Sequence, residues 1–314
     1  MVICFVALPV AAVVSVFSVK YRPLAKEAFD CVFKKMTFRK CKTGLDLKLK
    51  SSITSAFLKK NKKIGKLVYN NFELLSWLFI ITATLSMVGT IHGGINYYLY
   101  GNCNGPVKAG FCVFDPSGHS TQTSELANET CSDKSKKPEA DKNLKKTLNL
   151  INFNTSIFPI MNKHARSTVV FIACYDCDYS RELKPTIDNL MKEKTFNLVF
   201  AHFPVQGSST LASNYGFCIY KKNPELFWKY NDVMFSSQKH MNEYGLASVV
   251  ENLGLDKSEI KECANSETTK NLVIEQENEI KEAGVYGTPT VFIDGEPIVG
   301  PKPYRVYARL IKEE

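Results

Sequence analysis

The sequence of 314 residues predicts an α/β domain in its second half, preceded by two membrane-spanning helices. Three observations predict this. From residue 165 short β-rich apolar runs alternate with longer helical ones. Two long charge-free runs lie in the first hundred residues. Charge is divided between the halves rather than spread. The chain as a whole carries a formal net charge of +9, but residues 20–66 hold 15 basic and 3 acidic side chains, and the part after residue 66 is slightly acidic. With 45% hydrophobic and 23% charged residues, neither a disordered chain nor a polytopic transporter fits.

The first run, residues 2–19, is eighteen residues without a charge, at the short end of what crosses ~30 Å of hydrocarbon as a helix. Residues 1–19 are read as a retained transmembrane helix, because no Lys or Arg precedes the apolar stretch as a cleaved signal peptide would require. A signal peptide or a buried amphiphile is the other reading. Residues 20–73 form a basic loop, and residues 74–100 a second transmembrane helix. That helix ends in Tyr97, Tyr98 and Tyr100, rings suited to a membrane–water interface. A short loop this basic stays in the cytoplasm, so the expected topology is a two-pass protein of the cell membrane. Its C-terminal part is then extracytoplasmic. Nucleic acid as a partner of the basic block is not expected, since no binding motif and little aromatic interleaving are present. His92 is expected to be neutral near the outer interface.

Residues 101–164 are expected to be an extracytoplasmic, cysteine-containing segment and polar linker. Within them, 113–148 reads as a tether rich in Ser, Thr, Lys, Asp and Glu. Sequons occur at Asn128-Glu129-Thr130 and Asn154-Thr155-Ser156. Three of the ten cysteines, Cys4, Cys31 and Cys41, fall in the first helix or the cytoplasmic loop, where thiols generally stay reduced. The other seven, Cys103, Cys112, Cys131, Cys174, Cys177, Cys218 and Cys263, fall outside. An odd number there leaves at least one thiol for another use. Cys103 and Cys112 are spaced to close a small loop beside the membrane. A zinc site needs two close cysteine pairs, and only one CxxC exists, so neither a metal nor another cofactor is expected.

The soluble domain, 165–314, builds in order. STVVFIAC (167–174) is a buried strand, and DYSRELKPTIDNLMKEK (178–194) a helix with Asp178 or Ser180 in its first turn. FNLVFAHFPV (196–205) is a second strand, and residues 208–282 read as several helices. In these, Phe227, Trp228 and Tyr230 are expected to pack in the core. TPTVFID (288–294) and EPIVG (296–300) return to strand before a terminal helix. A βαβ start, a helical insertion and a ββα end describe a thioredoxin-like fold with an inserted helical subdomain.

FIACYDCDYSREL, HFPV, FWKYNDVMF, GLDKSEIKEC and GVYGTPTVFIDG occur in that order over about the last half of the chain. In this it resembles the DsbA-like branch of the thioredoxin superfamily, extracytoplasmic thiol–disulfide oxidoreductases. Such proteins read strand–CxxC–helix, with the first cysteine at the helix N-terminus. That alignment makes Cys177 the nucleophile and puts Ser180 where a resolving cysteine is usual. The CxxC actually present, Cys174 to Cys177, is offset by three and ends where the usual motif begins. A helix N-terminus stabilises a thiolate. Asp176 and Asp178 oppose it, by about one pKa unit for a carboxylate ~6 Å away. A site leaning towards reduction or isomerisation is therefore expected, resolved by Cys174 or by a substrate thiol. The alternatives are an inert buried cysteine, or a non-catalytic peptide-binding or chaperone module of the same fold.

The resemblance also implies a cis peptide between Thr288 and Pro289, exposing the Thr288 backbone beside Cys177 for an extended substrate to pair with. It implies a structural disulfide between Cys218 and Cys263, with two unpaired core thiols as the other reading. Pro185 is expected to kink the helix. His202 and Lys184 are further groups able to move a proton, with nothing in the sequence to select them. The implied partners are protein thiols or disulfides, the membrane, and a membrane redox partner.

Overall fold

A computed structural model of the chain describes residues 61–108, 110–122, 124–125, 148–204, 209–236 and 241–312, with isolated positions before 61. The first apolar run, Cys4, Cys31, Cys41, Cys131 and the Asn128 sequon lie outside the described residues. The chain divides into two compact units, Met1–His92 and Gly93–Glu314.

In the first unit, helix α1 (Lys62–Asn70) is capped by Asn61, whose side-chain oxygen accepts from the N–H groups of Lys63 and Ile64. Helix α2 (Phe72–Tyr100) follows after one residue. Among the described residues it is the one helix long and apolar enough to cross a membrane. Its 29 residues reach ~43 Å against a ~30 Å hydrocarbon core. Thr82 and Thr90 donate their hydroxyls back to the carbonyls of Leu78 and Ser86, so neither needs water as a partner.

The second unit takes in the last turns of α2 from Gly93 on. Helix α9 (Tyr304–Leu310) brings two arginines to that end. Arg305 donates to the carbonyls of Tyr97 and Tyr98, and Arg309 to that of Leu99 at 2.8 Å. These are carbonyls of the last turn, the negative end of the helix, which is why cations suit them; that of Tyr97 also accepts the Gly101 N–H at 2.8 Å. A disulfide between Cys103 and Cys112 closes the following loop.

The central sheet has five strands in the order β2-β4-β3-β6-β7. Strands β2 (Ile160–Met161), β3 (Thr168–Ala173) and β4 (Asn197–His202) form one side of it. β6 (Thr290–Ile293) and β7 (Glu296–Val299) form the other. β3 and β4 are parallel and are joined through helix α3 (Asp178–Glu193); the remaining pairs are antiparallel. As the central strand, β3 is covered on both faces. Val169, Phe171 and Ala173 face a core shared with α3 and the helical insertion. Val170, Ile172 and then Cys174 face a second core, with Phe158, Ile280 and Phe292. That alternation explains why the strand reads as a continuous apolar run. On α3, Leu183, Ile187 and Leu190 repeat at helical spacing and supply its buried face.

Between β4 and the last strands lie α4 (Thr210–Lys222), α5 (Pro224–Ser236), α6 (Glu243–Asn252), α7 (Lys257–Asn265) and α8 (Glu267–Glu282). Cys218 on α4 is bonded to Cys263 on α7. Phe227 and Tyr230 are buried in the first core, with Trp228 packed against it. This is a mixed α/β thioredoxin-like fold with added helices. One expected strand divides: 288–294 is not continuous, because Pro289 has no N–H to give a ladder. Gly287–Thr288 instead forms β5, which pairs antiparallel with β1 (Ser124–Glu125) in a separate two-stranded sheet.

Candidate active site around Cys177

Cys177 is the N-cap of α3, in extended backbone conformation, and its sulfur accepts the N–H of Ser180 at 3.4 Å. A thiolate there meets a backbone donor and the positive end of a 16-residue helix. On its other side the Cys177 thiol lies 3.3 Å from the carbonyl oxygen of Thr288. The Thr288–Pro289 peptide is cis. Cys174 and Cys177 are respectively 0% and 1% exposed.

Cys174 and Cys177 close one tight turn, with the Cys177 N–H donating to the Cys174 carbonyl at 3.1 Å. A turn of this kind keeps its end Cα atoms within ~7 Å, and disulfides span up to ~6.8 Å. The Cys174 sulfur lies 3.4 Å from the Ser209 hydroxyl. Ser180 is fully buried, and its oxygen accepts the Cys174 N–H at 3.3 Å. Its main chain thus holds one cysteine and its side chain the other. Asp178 points outwards, its side chain 88% exposed and 3.8 Å from Arg181. Solvent and that guanidinium screen the repulsion that the sequence alone predicts between Asp178 and a Cys177 thiolate. Pro185 lies inside α3, where it has no N–H to offer the carbonyl of Arg181.

The family of proteins described as Thioredoxin matches residues 155–313, half of the chain. The chain belongs to the thioredoxin family. Among solved structures, BdbD from Bacillus subtilis in its oxidised form is 19% identical, covering 50% of this chain and 92% of that one, with a TM-score of 0.47. The thiol-disulfide exchange protein α-DsbA2 from Wolbachia pipientis is 18% identical over 49% of this chain and 85% of that one, TM-score 0.46. The catalytic domain of Proteus mirabilis ScsC is 18% identical over 51% and 93%, TM-score 0.45. No curated protein matches the sequence.

Behind the thioredoxin-family turn stands His202, at the end of β4. Its Nε2 accepts the N–H of Tyr175 at 3.3 Å, and its ring stacks on that of Tyr175 with centroids 4.3 Å apart. Only an unprotonated Nε2 can accept a backbone N–H, so the ring proton sits on Nδ1 and is directed at the Ser213 hydroxyl. Burial lowers the His202 pKa to about 3, leaving it neutral. Burial also pushes the Tyr175 hydroxyl well up, and it donates to Asn231 at 3.0 Å. These two rings support the turn between Cys174 and Cys177. Lys184 lies elsewhere on α3, paired with Asp188 and Asp232, both at 2.6 Å.

The linker holds residues that sequence reasoning passed over. The tether assigned to 113–148 does not describe 115–122 or 124–125. There Asp115, nearly buried, accepts from the N–H groups of His119 and Ser120 and from the Ser117 hydroxyl, winding DPSGHS into a turn. Past it, His119 meets Glu182 at 2.7 Å, and the Tyr179 hydroxyl donates to Gln122 at 2.5 Å. Ser124 and Glu125 then pair with Thr288 and Gly287. Residues 119–125, HSTQTSE, contain no apolar side chain, so hydrophobic patterning gives no signal for this strand.

Proposed function

We propose that the protein is a membrane-anchored thiol–disulfide oxidoreductase acting on protein disulfides, with Cys177 as its nucleophile. α2 is the anchor, and residues 101–314 work on the extracytoplasmic side, 165–314 forming the catalytic domain. The observation that carries this reading is the Cys177 sulfur between the Ser180 N–H at the head of α3 and the Thr288 carbonyl. A helix terminus favours the anionic sulfur, and the carbonyl marks the edge along which an extended substrate pairs.

The Cys177 thiolate attacks one sulfur of a substrate disulfide; the sulfur–sulfur bond breaks, and the distal sulfur leaves as a thiolate. In the mixed disulfide so formed, Cys174 attacks the Cys177 sulfur and releases the substrate's second thiol. The substrate gains two electrons, Cys174 and Cys177 lose two, and a dithiol donor such as a membrane redox partner restores them. A substrate thiol attacking in place of Cys174 gives isomerisation with no net electron transfer. Ser180 has no sulfur for either route; it positions the two cysteines.

The test is to incubate the full chain with a peptide carrying a mixed disulfide and map the adduct by mass. An adduct at Cys177 that is lost in Cys177→Ser and accumulates at least tenfold in Cys174→Ala is expected. If Cys174→Ala turns over as the natural chain does, resolution by Cys174 is excluded. If no adduct forms at Cys177 even when the docked linker is loosened (below), the chain is a peptide-binding module of this fold.

A further inference from the structure

We infer that residues 119–122 and β1 (Ser124–Glu125) are a built-in occupant of the substrate groove, a stretch of the chain's own that a protein substrate must displace to reach Cys177. The inference rests on the reading of Cys177 given above and adds how access to it is controlled. The segment touches both walls of the site. On one wall Ser124 pairs with Thr288 and Glu125 with Gly287, antiparallel, on the residue whose carbonyl meets the Cys177 thiol. On the other wall, Tyr179 and Glu182, in the first two turns of α3, hold Gln122 and His119. The His119 and Tyr179 rings also meet edge-on, centroids 6.0 Å apart. With this segment in place Cys177 is 1% exposed.

The occupant is preformed rather than loosely draped. The Cys103–Cys112 disulfide fixes its upstream end. The Asp115 N–H donates to the Cys112 carbonyl, and the Asp115 carboxylate organises the turn that delivers His119. Preorganisation lowers the entropy cost of docking. Residues 113–125 include no cysteine, so the strand has the main-chain form of a substrate and no sulfur for Cys177 to attack. A ladder of two residues is also short enough to be exchanged for a longer one.

The experiment uses the full chain in detergent and an extended peptide with a pyridyl-disulfide cysteine. The rate of adduct formation at Cys177 is compared between the natural chain and Gln122→Ala/Ser124→Pro/Glu125→Pro, since proline gives no N–H to a ladder. A rise of at least tenfold is expected. Equal, measurable rates in the two chains overturn the inference and leave the oxidoreductase reading standing. No adduct in either chain sinks that reading instead, and docking is then decided by cross-linking. For this, Ser124→Cys and Glu125→Cys are each placed in a Cys174→Ala/Cys131→Ser background and oxidised with diamide. Successive strand residues point to opposite faces, so one of the two is expected to join Cys177 in a mapped disulfide. Failure of both to do so overturns the inference whatever the adduct rates.

Discussion

Around Cys177 the proposed chemistry rests on residues that lie behind the turn rather than beside the groove. His202 is the clearest case, because its neutral ring supplies an acceptor to the Tyr175 N–H that a protonated ring cannot. Its pKa of about 3 in the fold against ~6.5 in an unfolded chain sets a direction. Below pH 6.5 the unfolded chain takes up a proton that the folded one refuses, so stability is whole above that pH and falls towards pH 3. Linkage puts the loss at about 2 kcal/mol by pH 5. In His202→Gln, whose amide can still accept from Tyr175 and donate to Ser213, this portion of the acid destabilisation is expected to vanish. Urea midpoints of the two chains at pH 7 and pH 5 measure it, and parallel losses would refute the assignment. Nothing in the sequence singled out His202 for this role. It ends an apolar strand, and only the packing of Tyr175 against it decides that the ring is buried and neutral.

At the scale of elements, the parts that sequence made legible are those built on apolar periodicity. STVVFIAC became β3 because the central strand buries both faces, and α3 was readable from Leu183, Ile187 and Leu190. The junction between them placed Cys177 at the helix head, as its spacing from the strand required. Main-chain pairing is blind to side-chain type, and so β1 stayed hidden in a polar stretch. The helical insertion carries its own constraint in the disulfide between α4 and α7, closing a separation of 45 residues. Its removal in Cys218→Ala/Cys263→Ala should cost about 2–4 kcal/mol, read from denaturant unfolding. Cys218 lies in the core opposite the one that holds Cys177, so the rate of adduct formation at Cys177 should stay within twofold. A large fall in that rate would mean that the insertion shapes the site directly.

Across the whole molecule, the end of the apolar helix is tied into the folded domain by main-chain carbonyls and rings together. Arg305 also lies over the Tyr97 ring at 5.6 Å and Arg309 over that of Tyr100 at 5.5 Å. Each arginine is exposed, so each pairing is worth about 0.5–1 kcal/mol. Arg305→Ala/Arg309→Ala is expected to speed hydrogen exchange several-fold at residues 97–103 with little change in the central sheet; unchanged exchange there would show the contacts to be idle. The charge asymmetry along the chain bears on which side of a membrane each half would take, but not on this seam, which depends on where α9 ends up. The strand paired at Ser124–Glu125 is held beside Thr288 by the chain itself. Because it is covalently part of the chain, it faces Thr288 at an effective concentration that tethers of this kind set in the millimolar range, however dilute the protein. Short or weakly pairing peptides cannot outcompete that internal ligand. If the linker occupies the groove as inferred, an unfolded chain offering a longer strand and a disulfide displaces it, and the linker selects such clients over short peptides.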